Sequence, residues 1–216
     1  MKKILFQGDS ITDCSRSREN LEDMGKGYPL LVKAYLGVEY PEEFEIVNRG
    51  VSGNRIVDLY ARIKADIINL APDYMSILIG VNDAWHELGG NNGVDAEKYE
   101  KIYCMLIEEI KEALPNIKIM ILEPFCLRGI ATENTAEDPD RWDIISAEVK
   151  KRAEKARAVA DKYNLVFVPL QEMFDKASEK GKEVNWSVDG VHPTPAGHEL
   201  IKREWLKNFS FLRHQI

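Results

Sequence analysis

A single serine near the start of the chain stands where nucleophilic chemistry could occur. Residues 4–12 form a short apolar run that is interrupted by Gly8-Asp9-Ser10. Glycine permits a tight turn here, and the serine follows directly after a predicted strand. Open α/β sheets bind ligands at the carboxyl ends of their strands, so Ser10 is a candidate nucleophile. Gly-Asp-Ser is also ordinary loop sequence, and this interpretation therefore requires partner residues elsewhere.

A histidine with its own carboxylate lies near the other end of the chain. A serine hydroxyl becomes a good nucleophile only when a base removes its proton. His192 lies in the turn-like sequence Asp189-Gly190-Val191-His192-Pro193. The Asp189 carboxylate can accept a hydrogen bond from one ring nitrogen while the other faces outward, which fixes the tautomer that a general base requires. The sequence therefore predicts His192 as the base and Asp189 as its orienting partner.

Two further turns follow predicted strands and could supply hydrogen-bond donors. An oxyanion that develops during acyl transfer needs donors that are already in place. Gly53 can present a backbone N–H, and Asn82 can present a side-chain amide. Glycine and asparagine are also common turn residues, so each motif alone is weak. Four such clusters occur in one chain, each expected at a strand end or in a loop. Chance is a poor explanation for their joint occurrence.

The elements that must position these residues alternate regularly along the chain. Apolar patterns predict strands that begin at residue 4 and span 44–47, 74–79, 117–122 and 165–170. Helices are predicted over 28–36, 55–70, 95–114 and 144–163, with a last one starting at 194–195. This alternation predicts an α/β fold with a parallel sheet, helices on both faces and right-handed crossovers. Residues 127–143 form a long polar loop that we expect to shape a substrate cleft.

Length and composition restrict the class of protein. The chain of 216 residues is long enough for one well-buried core, and we predict a single domain over 1–216. A net charge of −7 argues against a nucleic-acid-binding surface. No stretch reaches the length of a membrane span, and the apolar run at the start is too short for a signal peptide. The three scattered cysteines match a reducing compartment, so we expect a cytoplasmic protein.

Together, four motifs resemble the characteristic blocks of the SGNH hydrolases, the GDSL esterase and lipase family. They are Gly8-Asp9-Ser10-Ile11, Val51-Ser52-Gly53-Asn54, Gly80-Val81-Asn82-Asp83 and Asp189-Gly190-Val191-His192-Pro193. The resemblance implies a flavodoxin-like three-layer α/β/α sandwich with a five-stranded parallel sheet. It also implies ester hydrolysis that needs no metal or other cofactor.

The same resemblance implies a role for each residue of the site. Ser10 is the expected nucleophile, His192 its base and Asp189 the residue that orients the base. The Ser10 N–H, Gly53 and Asn82 are the expected oxyanion hole.

Within this family the chain is most similar to cytoplasmic acetylxylan esterases, which implies removal of acetyl groups from xylo-oligosaccharides. One difference lies beside the predicted triad. Val188 stands where those enzymes carry a tryptophan, and Trp186 lies three residues ahead of Asp189. Asp9, Trp85 and Trp186 are predicted to line the substrate pocket.

Two other functions remain open from the sequence. The same four blocks also serve lysophospholipases and thioesterases, which hydrolyse longer acyl chains. A non-catalytic carbohydrate-binding module is an alternative of a different class, although such a module has no need for the complete set of catalytic residues. The expected partner is a small-molecule or oligosaccharide ester, with no nucleic acid and no membrane. The sequence leaves open whether the chain forms a homo-oligomer.

Overall fold

A parallel sheet forms the centre of the molecule. The computed structural model describes residues 1–214, and its five strands lie in the order β2-β1-β3-β4-β5. All neighbouring strands pair in parallel. The strands are β1 (Lys2–Gly8), β2 (Phe44–Asn48), β3 (Tyr74–Leu78), β4 (Lys118–Leu122) and β5 (Val166–Val168). The helices are α1 (Ser10–Asp13), α2 (Tyr28–Glu39), α3 (Ile56–Ala61), α4 (Ile63–Asp66), α5 (Val81–Gly90), α6 (Ala96–Ala113), α7 (Arg141–Lys162), α8 (Leu170–Ser178) and α9 (Pro195–His214).

Both faces of the sheet are buried because successive side chains of a strand point to opposite sides. In β1, Ile4 and Phe6 pack into one apolar cluster, whereas Leu5 packs into a second. The first cluster also contains residues of α2, α8 and α9, and the second contains residues of α3, α6 and α7. The predicted three-layer α/β/α sandwich with a five-stranded parallel sheet is confirmed.

Several element boundaries differ from the sequence predictions. The helix predicted over 55–70 is divided into α3, α4 and a 3₁₀ turn at Ile68–Leu70. Its apolar positions keep a helical spacing although the backbone does not, so periodicity alone misses the breaks. Helices α5 and α8 were not predicted from the sequence. The first turn of α5 carries Asn82 and Asp83, which are typical of loops, and the helix ends in two glycines.

The junction between β1 and α1 fixes the position of Ser10. Asp9 caps α1, since its Oδ1 accepts a hydrogen bond from the Ile11 N–H at 3.0 Å. Gly8 is required here by lack of space. A Cβ atom at this position would lie 2.4 Å from the Leu78 carbonyl oxygen and 2.4 Å from Thr12 Oγ1. Ser10 is therefore the first residue of a helix that starts tightly against β3.

One arginine connects the end of β1 to the loop that follows β2. Arg62 Nη1 donates to the Gln7 side chain and to the Arg49 carbonyl, both at 2.8 Å. Its Nη2 donates to the Gly8 carbonyl at 3.3 Å, and its Nε donates to Asn54 Oδ1 at 2.8 Å. The side chain is only 16% exposed, which makes these bonds hard for water to replace.

We predict that Arg62→Met lowers the free energy of unfolding by roughly 2–4 kcal/mol, because it leaves several partly buried acceptors without donors. Urea denaturation followed by circular dichroism measures this change. Arg203→Met is the matched control, since Arg203 is 69% exposed and pairs with Glu199 at the surface. An equal loss in both variants would show that the bonds of Arg62 to β1 and to the loop after β2 contribute no more than a surface ion pair.

Candidate active site

Ser10, His192 and Asp189 form a continuous chain of hydrogen bonds. Ser10 Oγ lies 2.9 Å from His192 Nε2, and His192 Nδ1 lies 2.6 Å from Asp189 Oδ2. With the Nδ1 proton directed at the carboxylate, Nε2 is free to accept the proton of the serine hydroxyl. The imidazole side chain is 55% exposed, so a substrate can approach it from solvent.

Asp189 is held as a carboxylate that faces His192. Its second oxygen, Oδ1, accepts hydrogen bonds from the N–H groups of Val191 at 2.8 Å and His192 at 2.7 Å. Partial burial acts to raise the pKa of Asp189, but the hydrogen bonds from the His192 ring and from these amides outweigh it and lower the pKa below its usual value. The group therefore stays ionised near neutral pH and can stabilise an imidazolium.

Ser187 supports this loop and was not singled out in the sequence analysis. Its fully buried hydroxyl accepts a hydrogen bond from the Gly190 N–H at 2.9 Å. The same oxygen lies 2.9 Å from the His192 carbonyl and 3.1 Å from Asp189 Oδ1, and its one proton can serve either acceptor. Serine and aspartate near a glycine are typical of turns in which a side chain accepts a hydrogen bond from a nearby backbone N–H. This pattern could have identified Ser187 from the sequence.

Three N–H donors lie beyond the ends of adjacent strands. The order β2-β1-β3 brings Gly53, Ser10 and Asn82 to one edge of the sheet. Among residues 1–214, neither the backbone N–H of Ser10 nor that of Gly53 donates a hydrogen bond. Asn82 Nδ2 donates one proton to the Asn54 carbonyl at 3.1 Å and retains a second. This edge can therefore offer several N–H groups to a developing negative charge.

A glycine is required at position 53 because of its backbone conformation, and not because a side chain would lack space. Its φ angle is +80°, in the left-handed region that residues with a Cβ atom rarely adopt. A Cβ atom built on it would meet no atom of the described chain within 4 Å. Its surroundings are therefore open, as a position that binds a ligand requires.

Two buried acids fix the loop that contains Gly53, and neither was predicted to do so. Asp13 Oδ2 accepts hydrogen bonds from the Ser52 N–H at 2.9 Å and from the Ser52 hydroxyl at 3.0 Å. Asp83 accepts from the Ile56 N–H at 3.1 and 3.2 Å through its two oxygens. Burial raises the pKa of Asp83 to about 8, although the Ile56 N–H acts to lower it. Each acid thus links the loop after β2 to an element that carries another site residue.

Asp9 lies beneath the site. It is completely buried, and its Oδ2 has no hydrogen-bond partner among the described residues. Burial raises the pKa of Asp9 to about 7, against the opposing effects of the Ile11 N–H and the nearby His192. Direct contact with substrate would require its neighbours to move, and the predicted pocket role of Asp9 stays a prediction.

The two predicted pocket tryptophans lie in different places. Trp85 is on α5, three residues after Asn82, and the Arg141 guanidinium lies 5.3 Å from the centre of one of its rings. Trp186 lines a groove between α8 and α9 together with Met173 and Leu200. Among the described residues, those lining this groove include none of the predicted triad. A substrate contact for either tryptophan remains a prediction.

The loop predicted over residues 127–143, whose last three residues belong to α7, is bonded to the segment that carries Asp189. The N–H groups of Leu127, Ile130 and Ala131 donate to the carbonyls of Gly190, Val188 and Asp189 at 2.8, 3.1 and 3.1 Å. These backbone bonds make the loop a support for the predicted catalytic residues.

Within residues 1–214, no three His, Cys, Asp or Glu side chains are grouped as ligands of a metal ion would be. In the same part of the chain, no helix is both long and apolar enough to cross a membrane.

We predict that the Asp9→Asn variant gains stability relative to wild type as the pH rises. A folded-state pKa of about 7, above the unfolded value, means that the Asp9 contribution is full below about pH 4 and is lost as the pH rises to about 7. Asparagine keeps the helix cap but cannot ionise. The difference in unfolding free energy between variant and wild type should shift toward the variant by at least about 1 kcal/mol from pH 5 to pH 8.

Urea denaturation at several pH values measures this difference. Asp161→Asn serves as the control, because Asp161 lies exposed on α7. If the Asp9→Asn and wild-type stability curves stay parallel between pH 5 and pH 8, the high pKa of Asp9 is wrong.

Comparison with known proteins agrees with this architecture. The model of the GDSL-like Lipase/Acylhydrolase family matches residues 6–200. An acetylxylan esterase from Geobacillus stearothermophilus is 33% identical over 220 residues, which cover 97% of this chain and 94% of that protein. The crystal structure of Axe2, an acetylxylan esterase from the same organism, matches with a TM-score of 0.83 at 32% identity, over 97% of this chain and 94% of the other.

A second solved structure extends the likeness. LAE5, an alpha/beta hydrolase from the metagenome of Lake Arreo in Spain, matches with a TM-score of 0.85 at 29% identity, over 98% of this chain and 96% of the other. The family match covers most of the chain and all four motifs, so the alternative of a non-catalytic carbohydrate-binding module is set aside. The chain belongs to the GDSL-like lipase and acylhydrolase family and is a carboxylic ester hydrolase.

Proposed function

We propose that this chain is a serine esterase that removes acetyl groups from xylo-oligosaccharides or related carbohydrates. Ser10 is the nucleophile, His192 the general base and Asp189 the residue that orients it. The observation that carries the chemistry is the hydrogen-bonded chain from Ser10 to Asp189, with distances of 2.9 and 2.6 Å. Nucleophile, base and orienting carboxylate within hydrogen-bond reach are the signature of an activated serine.

In the first half of the reaction, Ser10 Oγ attacks the ester carbonyl carbon while His192 Nε2 takes the hydroxyl proton. The carbonyl π bond opens, and its electron pair resides on an oxyanion. In this proposal the N–H groups of Ser10, Gly53 and Asn82 donate to that oxyanion. The intermediate then collapses, the bond to the alcohol oxygen breaks, and the imidazolium donates its proton to the leaving alcohol.

In the second half, water replaces the alcohol. His192 removes a proton from the water, whose oxygen attacks the acetyl carbon of the acyl-enzyme. The tetrahedral intermediate collapses, the bond between the acetyl carbon and Ser10 Oγ breaks, and Ser10 regains its proton from the imidazolium. The product leaves as acetic acid, which ionises to acetate in water. Asp189 stays ionised throughout, which stabilises the positive ring in both halves.

The acetyl and carbohydrate parts of the proposal rest on separate support. An acetylxylan esterase is similar to the chain over 97% of its length. The loop over residues 127–143, which is bonded to the Asp189 segment, is rich in acidic and polar residues that suit sugar hydroxyls better than acyl chains.

Hydrolysis of longer acyl chains is the second candidate function. The family description includes lipases as well as acylhydrolases, and the same catalytic residues would serve both. The two candidates differ in how activity depends on the length of the acyl chain.

We predict that Ser10→Ala lowers kcat by roughly 10⁴-fold or more, because no other group can form the acyl-enzyme. The fold should survive, as judged by circular dichroism. Ser210→Ala, at an exposed position of α9, is the control and should keep wild-type turnover. A purified Ser10→Ala protein with even a tenth of wild-type kcat would rule out Ser10 as the nucleophile.

The length of the acyl chain that the enzyme prefers distinguishes the two candidate functions. An acyl-chain enzyme should gain several-fold in kcat/KM per methylene until its pocket fills, since each buried methylene is worth about 0.8 kcal/mol. The proposed acetyl esterase should instead lose efficiency from p-nitrophenyl acetate to butyrate to octanoate, and it should release acetate from acetylated xylobiose. Rising efficiency along the series without release from the sugar would support the second candidate and leave the triad unchanged.

A further inference from the structure

A depression between α5 and the start of α7 lies one helical turn from Asn82. Trp85 and Leu88 of α5 form one wall, and Arg141 and Ile144 of α7 form the other. Trp85 follows Asn82 by three residues, and Leu88 follows Trp85 by three, so consecutive members of this series lie about one turn apart on α5. Successive residues at this spacing are about 5 Å apart. The depression, which we call the Trp85 pocket, therefore adjoins the amide that the proposed reaction uses.

The walls of the Trp85 pocket combine apolar surface with a charged rim. The Trp85 ring and the side chains of Leu88 and Ile144 are apolar, and all three are at least partly exposed. At the rim, Arg141 Nη1 lies 3.2 Å from Asp138 Oδ2. Most ligand sites have this composition, in which apolar walls carry a few polar groups that fix orientation.

The charged rim favours a sugar over an acyl chain. A pyranose ring presents C–H groups that can pack on an aromatic face, and hydroxyls that can bond to a guanidinium and a carboxylate. An acyl chain would cover the same ion pair without replacing its bonds to water, which carries an energetic cost.

The pocket is also tied to the segment that carries the proposed base. Arg141 Nε donates to the Ala131 carbonyl at 2.6 Å, and the Ala131 N–H donates to the Asp189 carbonyl at 3.1 Å. The α5 wall thus leads to Asn82, and the α7 wall is connected through Ala131 to Asp189. In the proposed reaction the ester lies between these residues, and its alcohol must receive a proton from His192.

We propose that the Trp85 pocket binds the sugar ring of the leaving alcohol, with Trp85 as a stacking surface and with Arg141 and Asp138 as partners of its hydroxyls. This inference rests on the proposed function, since it takes the substrate to be an acetylated sugar. It assigns Trp85 and Arg141 to recognition of the alcohol rather than of the acyl group.

Two acetate esters with different alcohols test this assignment. Ethyl acetate has a leaving group too small to fill the pocket, whereas acetylated xylobiose carries a sugar ring. Release of acid from both is followed in a pH-stat with wild type, Trp85→Leu and Arg141→Met. Each variant should raise the KM for the sugar ester about tenfold more than it raises the KM for ethyl acetate. A change of this size is the loss expected for one stacking or charged contact. Most of the change should appear in KM rather than in kcat.

Matched variants separate recognition from general damage. Trp85→Phe keeps an aromatic face and should restore most of the lost efficiency on the sugar ester. Arg157→Met removes an exposed arginine of α7 that lies against Phe167 of β5, and it should leave the ratio of the two substrates unchanged. Calorimetric titration of xylobiose into Ser10→Ala, with and without Arg141→Met, measures binding independently of turnover. Binding should weaken about tenfold when Arg141 is also replaced.

Several outcomes would overturn the pocket assignment. Equal losses on both esters, or the same change of ratio in Arg157→Met, would mean that Trp85 and Arg141 do not recognise the sugar. Unchanged xylobiose binding in the calorimetric comparison would mean the same. If wild type hydrolyses ethyl acetate but not the sugar ester, the proposed carbohydrate function itself is wrong, and this outcome is recognised without any pocket variant.

Discussion

The hydrogen bond between Ser10 and His192 joins residues that are 182 positions apart, and the proposed chemistry depends on it. Its two ends are held in different ways. Ser10 begins a helix whose cap and neighbouring strands fix it to the sheet. His192 belongs to a loop outside the sheet. The geometry of the site therefore depends on how firmly that loop is attached to the rest of the molecule.

Backbone hydrogen bonds from residues 127–131 provide much of that attachment. They leave the Asp189 side chain free to accept bonds from His192 and from the amides of its own turn. The long connection after β4 consequently supports the proposed triad and also carries Asp138, at the rim of the Trp85 pocket. A change of loop sequence that adapts the pocket to another alcohol would also have to preserve these backbone contacts. Alcohol specificity and the geometry of the proposed triad are therefore coupled.

Buried acids hold the opposite side of the site. Asp9, Asp13 and Asp83 each accept hydrogen bonds from backbone N–H groups at the start of a helix or in a loop. For Asp9 and Asp83, burial raises the pKa toward or above neutrality, so their ionised forms are costly. Rigid placement of the donors near Ser10 and Gly53 thus has a cost in stability, as preorganised active sites often do.

The sequence by itself determined the five strands along the chain, most of the helices between them, the parallel sheet and the motifs from which Ser10, His192 and Asp189 were predicted as a site. Periodicity and turn residues carry this information because they reflect local burial and backbone preference. Only the tertiary structure decided the break at Arg62, whose side chain bonds to groups distant in sequence. It alone also placed Trp186 in the groove between α8 and α9. Contacts between distant segments depend on packing in three dimensions, which local patterns do not encode.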